Sequence, residues 1–126
     1  MSRLQTPLSK VKGLGSAKDG TSHFWHQRLT ALLLIPLVLW LGFSLAALPA
    51  QYGTLIGWLQ QTPVAILLVL SIFAIFYHAQ LGLQIIIEDY VSNHATRTIC
   101  IILNSFTCLI AGITGIVSVL KITFGA

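Results

Sequence analysis

The chain has 126 residues, which bounds it to one domain. Hydrophobic residues make up 56% and charged residues 8%, against about 25% charged in a soluble protein. Ten charges cannot clothe a water-exposed surface of this size, so the proportions and a mean hydropathy of +0.86 exclude a soluble domain and imply an integral membrane protein. The net charge of +4 does not point to nucleic acid either. Arg3, Lys10, Lys12, Lys18 and Arg28 all precede the first apolar run, which is where charges set topology in membrane proteins.

Residues Met1 to Ser22 are polar and basic, interrupted by Gly13, Gly15 and Gly20, and are expected to form an extended or loosely ordered arm on one side of the membrane. No apolar core precedes residue 29, so the arm is not by itself a secretory signal; an organellar transit role and a bacterial start both fit it. Leu29 to Leu48 supplies enough apolar chain for ~30 Å of hydrocarbon, with a kink expected at Pro36. Pro49, Gln51, Gly53, Gly57, Gln60 and Gln61 mark a short uncharged loop. Thr62-Pro63 then reads as an N-cap followed by proline at the first helical position. The second span, Pro63 to Ile87, is long enough to require tilt. Glu88 to Arg97 reads as a polar connection and Thr98 to Leu120 as the third span, closed by Lys121.

The resulting prediction is an all-α integral membrane protein: a basic arm over 1–22, then an anchor domain over 23–126 with spans at about 29–48, 63–87 and 98–120. Five basic residues of the arm and Arg97 fall on one side against Lys121 on the other, so the N-terminus is expected on the cytoplasmic or matrix side. No internal repeat of the inverted-transporter kind is visible. Gly42 with Ala46, and Ala111 with Gly115, have the spacing that lets helix backbones approach closely, either for ordinary packing or for docking to a partner subunit. Cys100 and Cys108 lie ~12 Å apart along one helix and read as buried thiols rather than a disulfide.

His78 stands alone among the polar residues of the spans. Ionisable side chains in hydrocarbon are costly and usually serve a site. Three readings are open: a neutral imidazole bonded to a neighbouring helix, a proton relay, or a metal or haem ligand. The neighbours favour the third. At 100° per residue His78, Gly82, Ile85 and Asp89 share one helix face, and Gly82 leaves room for a flat macrocycle, although ordinary close packing uses glycine in the same way. Asp89 and Tyr90 follow ~16 Å along the axis, where a carboxylate beside a phenol can bind and protonate a polar head group whose tail stays in lipid. An interfacial aromatic belt is the alternative for Tyr90.

The stretch His78-Ala79-x-x-Gly82-x6-Asp89-Tyr90-Val91 resembles the small D-type membrane-anchor subunit of succinate dehydrogenase (complex II). His23-Phe24-Trp25-His26-Gln27-Arg28-Leu29-Thr30-Ala31 is similar to the segment leading into that family's first helix, particularly in alphaproteobacterial and mitochondrial forms. Three spans and the chain length agree, so the resemblance covers nearly the whole protein. It implies residence in a bacterial plasma membrane or mitochondrial inner membrane as part of a heteromeric helical bundle. His78 would be one axial ligand of haem b, with the other imidazole given by a larger cytochrome b anchor subunit. Tyr90 would hydrogen-bond a ubiquinone carbonyl, with Asp89 supporting that site and its protons.

Arg28 matches the basic residue near the haem propionates, and Gly82, His23 and His26 would belong to the haem surroundings. Neither histidine matches the position of the family's own histidine in that segment. A snorkelling topology anchor is the plainer reading of Arg28, an interfacial belt residue that of Trp25, and a solvated side chain that of His94. The remaining implied partners are an iron–sulfur subunit and a flavoprotein subunit, which would carry the succinate chemistry. This chain has neither a dinucleotide fingerprint nor a cysteine cluster for it. The rival classes are the anchor of a fumarate reductase or other haem or quinone complex, and a non-redox small transporter or assembly subunit.

Overall fold

A computed structural model describes residues 7–11 and 20–125. Five helices and no strand occur among them: α1 (Pro7–Val11), α2 (Gly20–Ala47), α3 (Tyr52–Leu59), α4 (Thr62–Tyr90) and α5 (His94–Thr123). Three are long and apolar enough to cross a membrane, within α2, α4 and α5. Much of the expected arm, at 1–6 and 12–19, lies outside the described residues, and with it Arg3, Lys12 and Lys18.

Each long helix overruns its apolar run. α2 begins nine residues before Leu29, so His23, His26 and Arg28 are helical side chains ahead of the apolar run. Hydropathy marks where a helix meets lipid and not where it starts. The polar first turns pay no desolvation at the interface, and His26 Nδ1–H donates to the Ser22 carbonyl at 2.8 Å, four residues back. At 28 residues α2 is about 42 Å long, well beyond the ~30 Å hydrocarbon layer. It continues through Pro36.

The expected loop over 49–61 holds a helix of its own, α3. Leu55, Ile56, Trp58 and Leu59 give it an apolar face despite Gly53 and Gly57. Trp58 stacks on Trp40 of α2 with ring centroids 5.9 Å apart. The N-cap of α4 is Gln61 and not Thr62, because Ala65 N–H already donates to the Gln61 carbonyl at 2.9 Å, and no side chain caps that end.

The expected connection over 88–97 shrinks to the three residues 91–93. Asn93 stops it: its side-chain oxygen accepts from Thr96 N–H at 3.1 Å, a side-chain cap that starts α5 at His94.

The three spans form a row with α4 in the middle. α4 packs on both α2 and α5, which do not pack on each other. Val64, Leu68, Ser71, Ala74 and Leu81 lie buried along α4 at three- and four-residue steps, with Ala65 beside them. α2 adds Thr30 and Leu37, and α5 adds Gly112. The α4–α5 seam is close: a Cβ on Gly115 would stand 3.2 Å from Ile72, and one on Gly112 would stand 3.5 Å from Phe76. Asn104 Nδ2 donates to the Gln80 carbonyl at 3.0 Å and Gln80 Nε2 to Ser105 Oγ at 3.2 Å, the interhelical polar contacts that bind helices in lipid. At the far end Thr123 Oγ1 donates to the Leu59 carbonyl, tying α5 to α3.

The two small-residue pairs differ. Gly115 is used inside the chain, whereas a Cβ on Gly42 would meet nothing within 4 Å and Ala46 is exposed. Both cysteines are free and half-buried, so no disulfide joins them. Replacement of Gly115 by leucine forces α5 off Ile72 and should cost about 1–3 kcal/mol, the usual range for overpacking. The purified protein should then unfold at a lower temperature in detergent, while Gly42→Ala should leave its unfolding temperature unchanged. Equal unfolding temperatures for Gly115→Leu and the parent chain would show that the α4–α5 seam is not close there.

Candidate functional site

His78 is half-buried at the seam between α4 and α2, sixteen residues after Thr62 and twelve before Tyr90. Its Nδ1 lies 2.9 Å from Thr30 Oγ1, and Thr30 is buried, at 8% exposure. The same hydroxyl lies 2.8 Å from the His26 carbonyl and 3.0 Å from the Gln27 carbonyl. A hydroxyl has one proton and carbonyls only accept. If that proton goes to the ring, one bond forms and an Nε2–H is left without a partner. If it goes back to the helix carbonyl, Nδ1–H of His78 donates to the oxygen and two bonds form. The second arrangement satisfies more groups. It leaves Nε2 of a neutral imidazole with its lone pair uncommitted among the described residues.

Beside this pair α2 presents a short polar stripe. His23, Gln27 and Thr30 are spaced four and three residues apart and so share a face. His23 Nε2 and Gln27 Oε1 are buried and have no hydrogen-bond partner among the described residues. Buried polar atoms of this kind normally bond to protein, water or a ligand. Gly82, one turn beyond His78, lies against the stripe as well: a Cβ there would stand 3.3 Å from Gln27 Nε2. The room that Gly82 leaves on this side is thus taken by the Gln27 amide. His26, with its ring edge against Tyr77 at 6.2 Å between centroids, is exposed.

The other sequence-predicted residues stand apart from His78. The Arg28 guanidinium lies over the Phe24 ring at 4.7 Å and its side chain is exposed. Asp89 and Tyr90 end α4 about 16 Å beyond His78 along the axis, with Tyr90 84% exposed. His94 is exposed in the first turn of α5, and Trp25 is exposed on α2. His23, Arg28, Asp89, Tyr90 and Arg97 therefore share the end of the molecule where α2 and α5 start and α4 stops.

Among the described residues no three His, Cys, Asp or Glu side chains gather into a metal cage. A metal held by His78 would take its other ligands from outside these residues. An apolar groove of about 350 Å³ lies along the α4–α5 seam, lined by Phe73, Tyr77, Gln80, Ser105 and Cys108 but not by His78.

Sequence reasoning passed over Thr30 and Gln27. Their signal was the spacing His23-Gln27-Thr30, an i, i+4, i+7 polar row. It was hidden because the helix was expected to begin only at Leu29.

Comparison with known proteins places this geometry in a family. Residues 2–112 match the model of the succinate dehydrogenase/fumarate reductase transmembrane subunit. The chain is similar to the succinate dehydrogenase hydrophobic membrane anchor subunit of Rickettsia bellii, 36% identical over 104 residues, covering 81% of this chain and 83% of the relative. It is similar to that of Rickettsia conorii at 31% over 113 residues, 88% of this chain and 90% of the relative. The succinate dehydrogenase membrane anchor subunit of Reclinomonas americana is 33% identical over 90 residues, 68% and 75% of the two chains.

Proposed function

The chain belongs to the family of succinate dehydrogenase/fumarate reductase transmembrane subunits, and from that premise we propose that it anchors a succinate dehydrogenase in the membrane, co-ligates haem b through His78 and lines a quinone site with Tyr90 and Asp89. The carrying observation is the imidazole itself: one nitrogen bound to Thr30, the other without a hydrogen-bond partner among the described residues, in the middle of an apolar span. A neutral histidine with its outer nitrogen committed to a hydrogen bond is what haem iron takes as an axial ligand. With no three His, Cys, Asp or Glu side chains gathered among the described residues, His78 would hold a group that brings most of the iron's ligands with it. The unpartnered His23 Nε2 and Gln27 Oε1 fit polar substituents or ordered water at the edge of such a group. When bound, the haem supplies one-electron redox chemistry.

The chain's own residues do the rest. The place of His78 within an apolar span would keep bulk water from the ligand nitrogen. Arg28, on the same end, offers its charge to anionic propionates from the interface. Tyr90 offers a phenol proton to a quinone carbonyl, and Asp89 beside it can take up or release a proton at the water boundary. Their exposure leaves both free for such a ligand. The second axial imidazole would come from the larger cytochrome b anchor subunit. An iron–sulfur subunit and a flavoprotein subunit would dock at the Tyr90 end, and ubiquinone would be the electron acceptor. The family description names fumarate reductase as well, so the anchor of an enzyme running in the reverse direction is the second reading, separated by the direction of turnover.

Three measurements check these assignments. The purified complex carrying His78→Ala should lose its low-spin b-type spectrum, even where some haem is retained; an unchanged low-spin spectrum would exclude His78 as ligand. Tyr90→Phe keeps the ring and removes one hydroxyl, at a cost of about 1 kcal/mol in quinone binding. In membranes of equal complex content, succinate–quinone activity divided by succinate–artificial-acceptor activity should therefore fall, and should fall in Asp89→Asn too. A constant ratio would leave the pair as interfacial residues. Finally, a reporter fused after Ala126 should appear on the periplasmic or intermembrane side and one fused before Met1 on the opposite side, following the basic excess around Arg28 and Arg97. Both reporters on one side would mean an even number of crossings.

A further inference from the structure

We propose that Thr30 is a positioning residue that fixes the tautomer and direction of the His78 imidazole and raises its strength as a ligand, an inference that rests on the haem-ligand reading of His78. The contact joins residues 48 apart in sequence, across the α2–α4 seam, at 2.9 Å between Thr30 Oγ1 and His78 Nδ1. Thr30 is one of the few buried polar side chains among the described residues, and its other neighbours are carbonyls of its own helix.

The arrangement is directional. The Thr30 hydroxyl donates a hydrogen bond to the His26 carbonyl, and a hydroxyl that donates becomes a better acceptor through mutual polarisation. It accepts a hydrogen bond from Nδ1–H of His78, which holds the ring as the Nδ1–H tautomer and aims Nε2 away from α2. Withdrawing that proton toward oxygen adds electron density to the ring, and a more basic imidazole favours the ferric over the ferrous state of an iron it ligates. Among the described residues the Thr30 contact is the hydrogen bond the His78 ring makes: Gln27 lays its amide nitrogen against Gly82, a turn beyond His78, and His26 Nδ1 is spent on the Ser22 carbonyl.

Thr30→Val keeps the branched shape and removes the acceptor, whereas Thr30→Ser keeps the acceptor and removes a methyl group. In the assembled complex, two readouts follow the ligand rather than turnover: the midpoint potential of the haem and the low-spin EPR g-values, which report ring orientation. Thr30→Val should raise the potential and shift the g-values, and Thr30→Ser should return both to the wild-type values. Thr30→Ala carries the same test if the valine complex does not assemble.

Wild-type potential and g-values in the variant lacking the hydroxyl would overturn the proposal, and so would equal shifts in valine and serine variants, because then the methyl group matters and the oxygen does not. His78→Ala, measured alongside, separates the two levels. Low-spin haem lost in His78→Ala but unshifted in Thr30→Val refutes the role of Thr30 alone. Low-spin haem retained in His78→Ala refutes the ligand and the positioning role together.

Discussion

A polar atom inside hydrocarbon has no water to turn to, so it must find its partner in protein, and this constraint decides which helices meet. Apolar faces do not supply that choice, since lipid tails are as good a neighbour for leucine as another helix is. Among the described residues, three side-chain hydrogen bonds join one span to another: Thr30 with His78, Asn104 with the Gln80 carbonyl and Gln80 with Ser105. Each has α4 at one end. Glycine does the complementary work on the α5 side, where Gly112 and Gly115 bring backbone close to Phe76 and Ile72. Hydrogen bonds and close packing together select α4 as the middle of the row, and the outer spans never touch.

A row of three helices has no interior in the sense of a globular core. Among the described residues six hydrophobic ones are buried, four of them on the first half of α4, and no large side chain is fully enclosed. α2 is bare over much of its length, with Leu32, Ile35, Val38, Leu39 and Phe43 exposed. In water such a surface would aggregate; in a membrane it is the ordinary contact with lipid or with other subunits. The ends are held differently from the middle. At the far interface Trp40 stacks on Trp58 and Thr123 reaches Leu59, so α3 closes the row there as a short amphipathic brace.

Composition made the membrane class and the number of spans legible, because ~20 apolar residues in sequence have few other uses. It could not show where helices start. A helix entering water keeps its backbone bonds while its side chains turn polar, so α2 reaches back to Gly20 and α5 to His94 with no hydropathic signal. Two glycines and four glutamine or proline residues made 49–61 look like a plain loop, and the apolar set from Leu55 to Leu59 that folds into α3 was outweighed. His78 was legible because it is an ionisable side chain in a run that otherwise has none. Thr30 was not, since a threonine in a span is usually satisfied by its own helix. Thr30 does make that local bond, and what distinguishes it is a partner 48 residues away, a fact that belongs to packing and not to pattern.

The position of the candidate ligand follows from the same geometry. In a bundle with an interior, a ligand-bearing histidine would face a cavity enclosed by its own chain. Here His78 sits on a seam between two helices, with one nitrogen turned toward α2 and the other left to whatever packs beside the row. No three His, Cys, Asp or Glu side chains gather into a metal site among the described residues. On the proposed reading that incompleteness is what a shared cofactor requires: each anchor subunit gives one imidazole, and the haem holds the two chains together as much as they hold it. Independently of His78, Gly42 and Ala46 leave the exposed flank of α2 open to close approach by another helix.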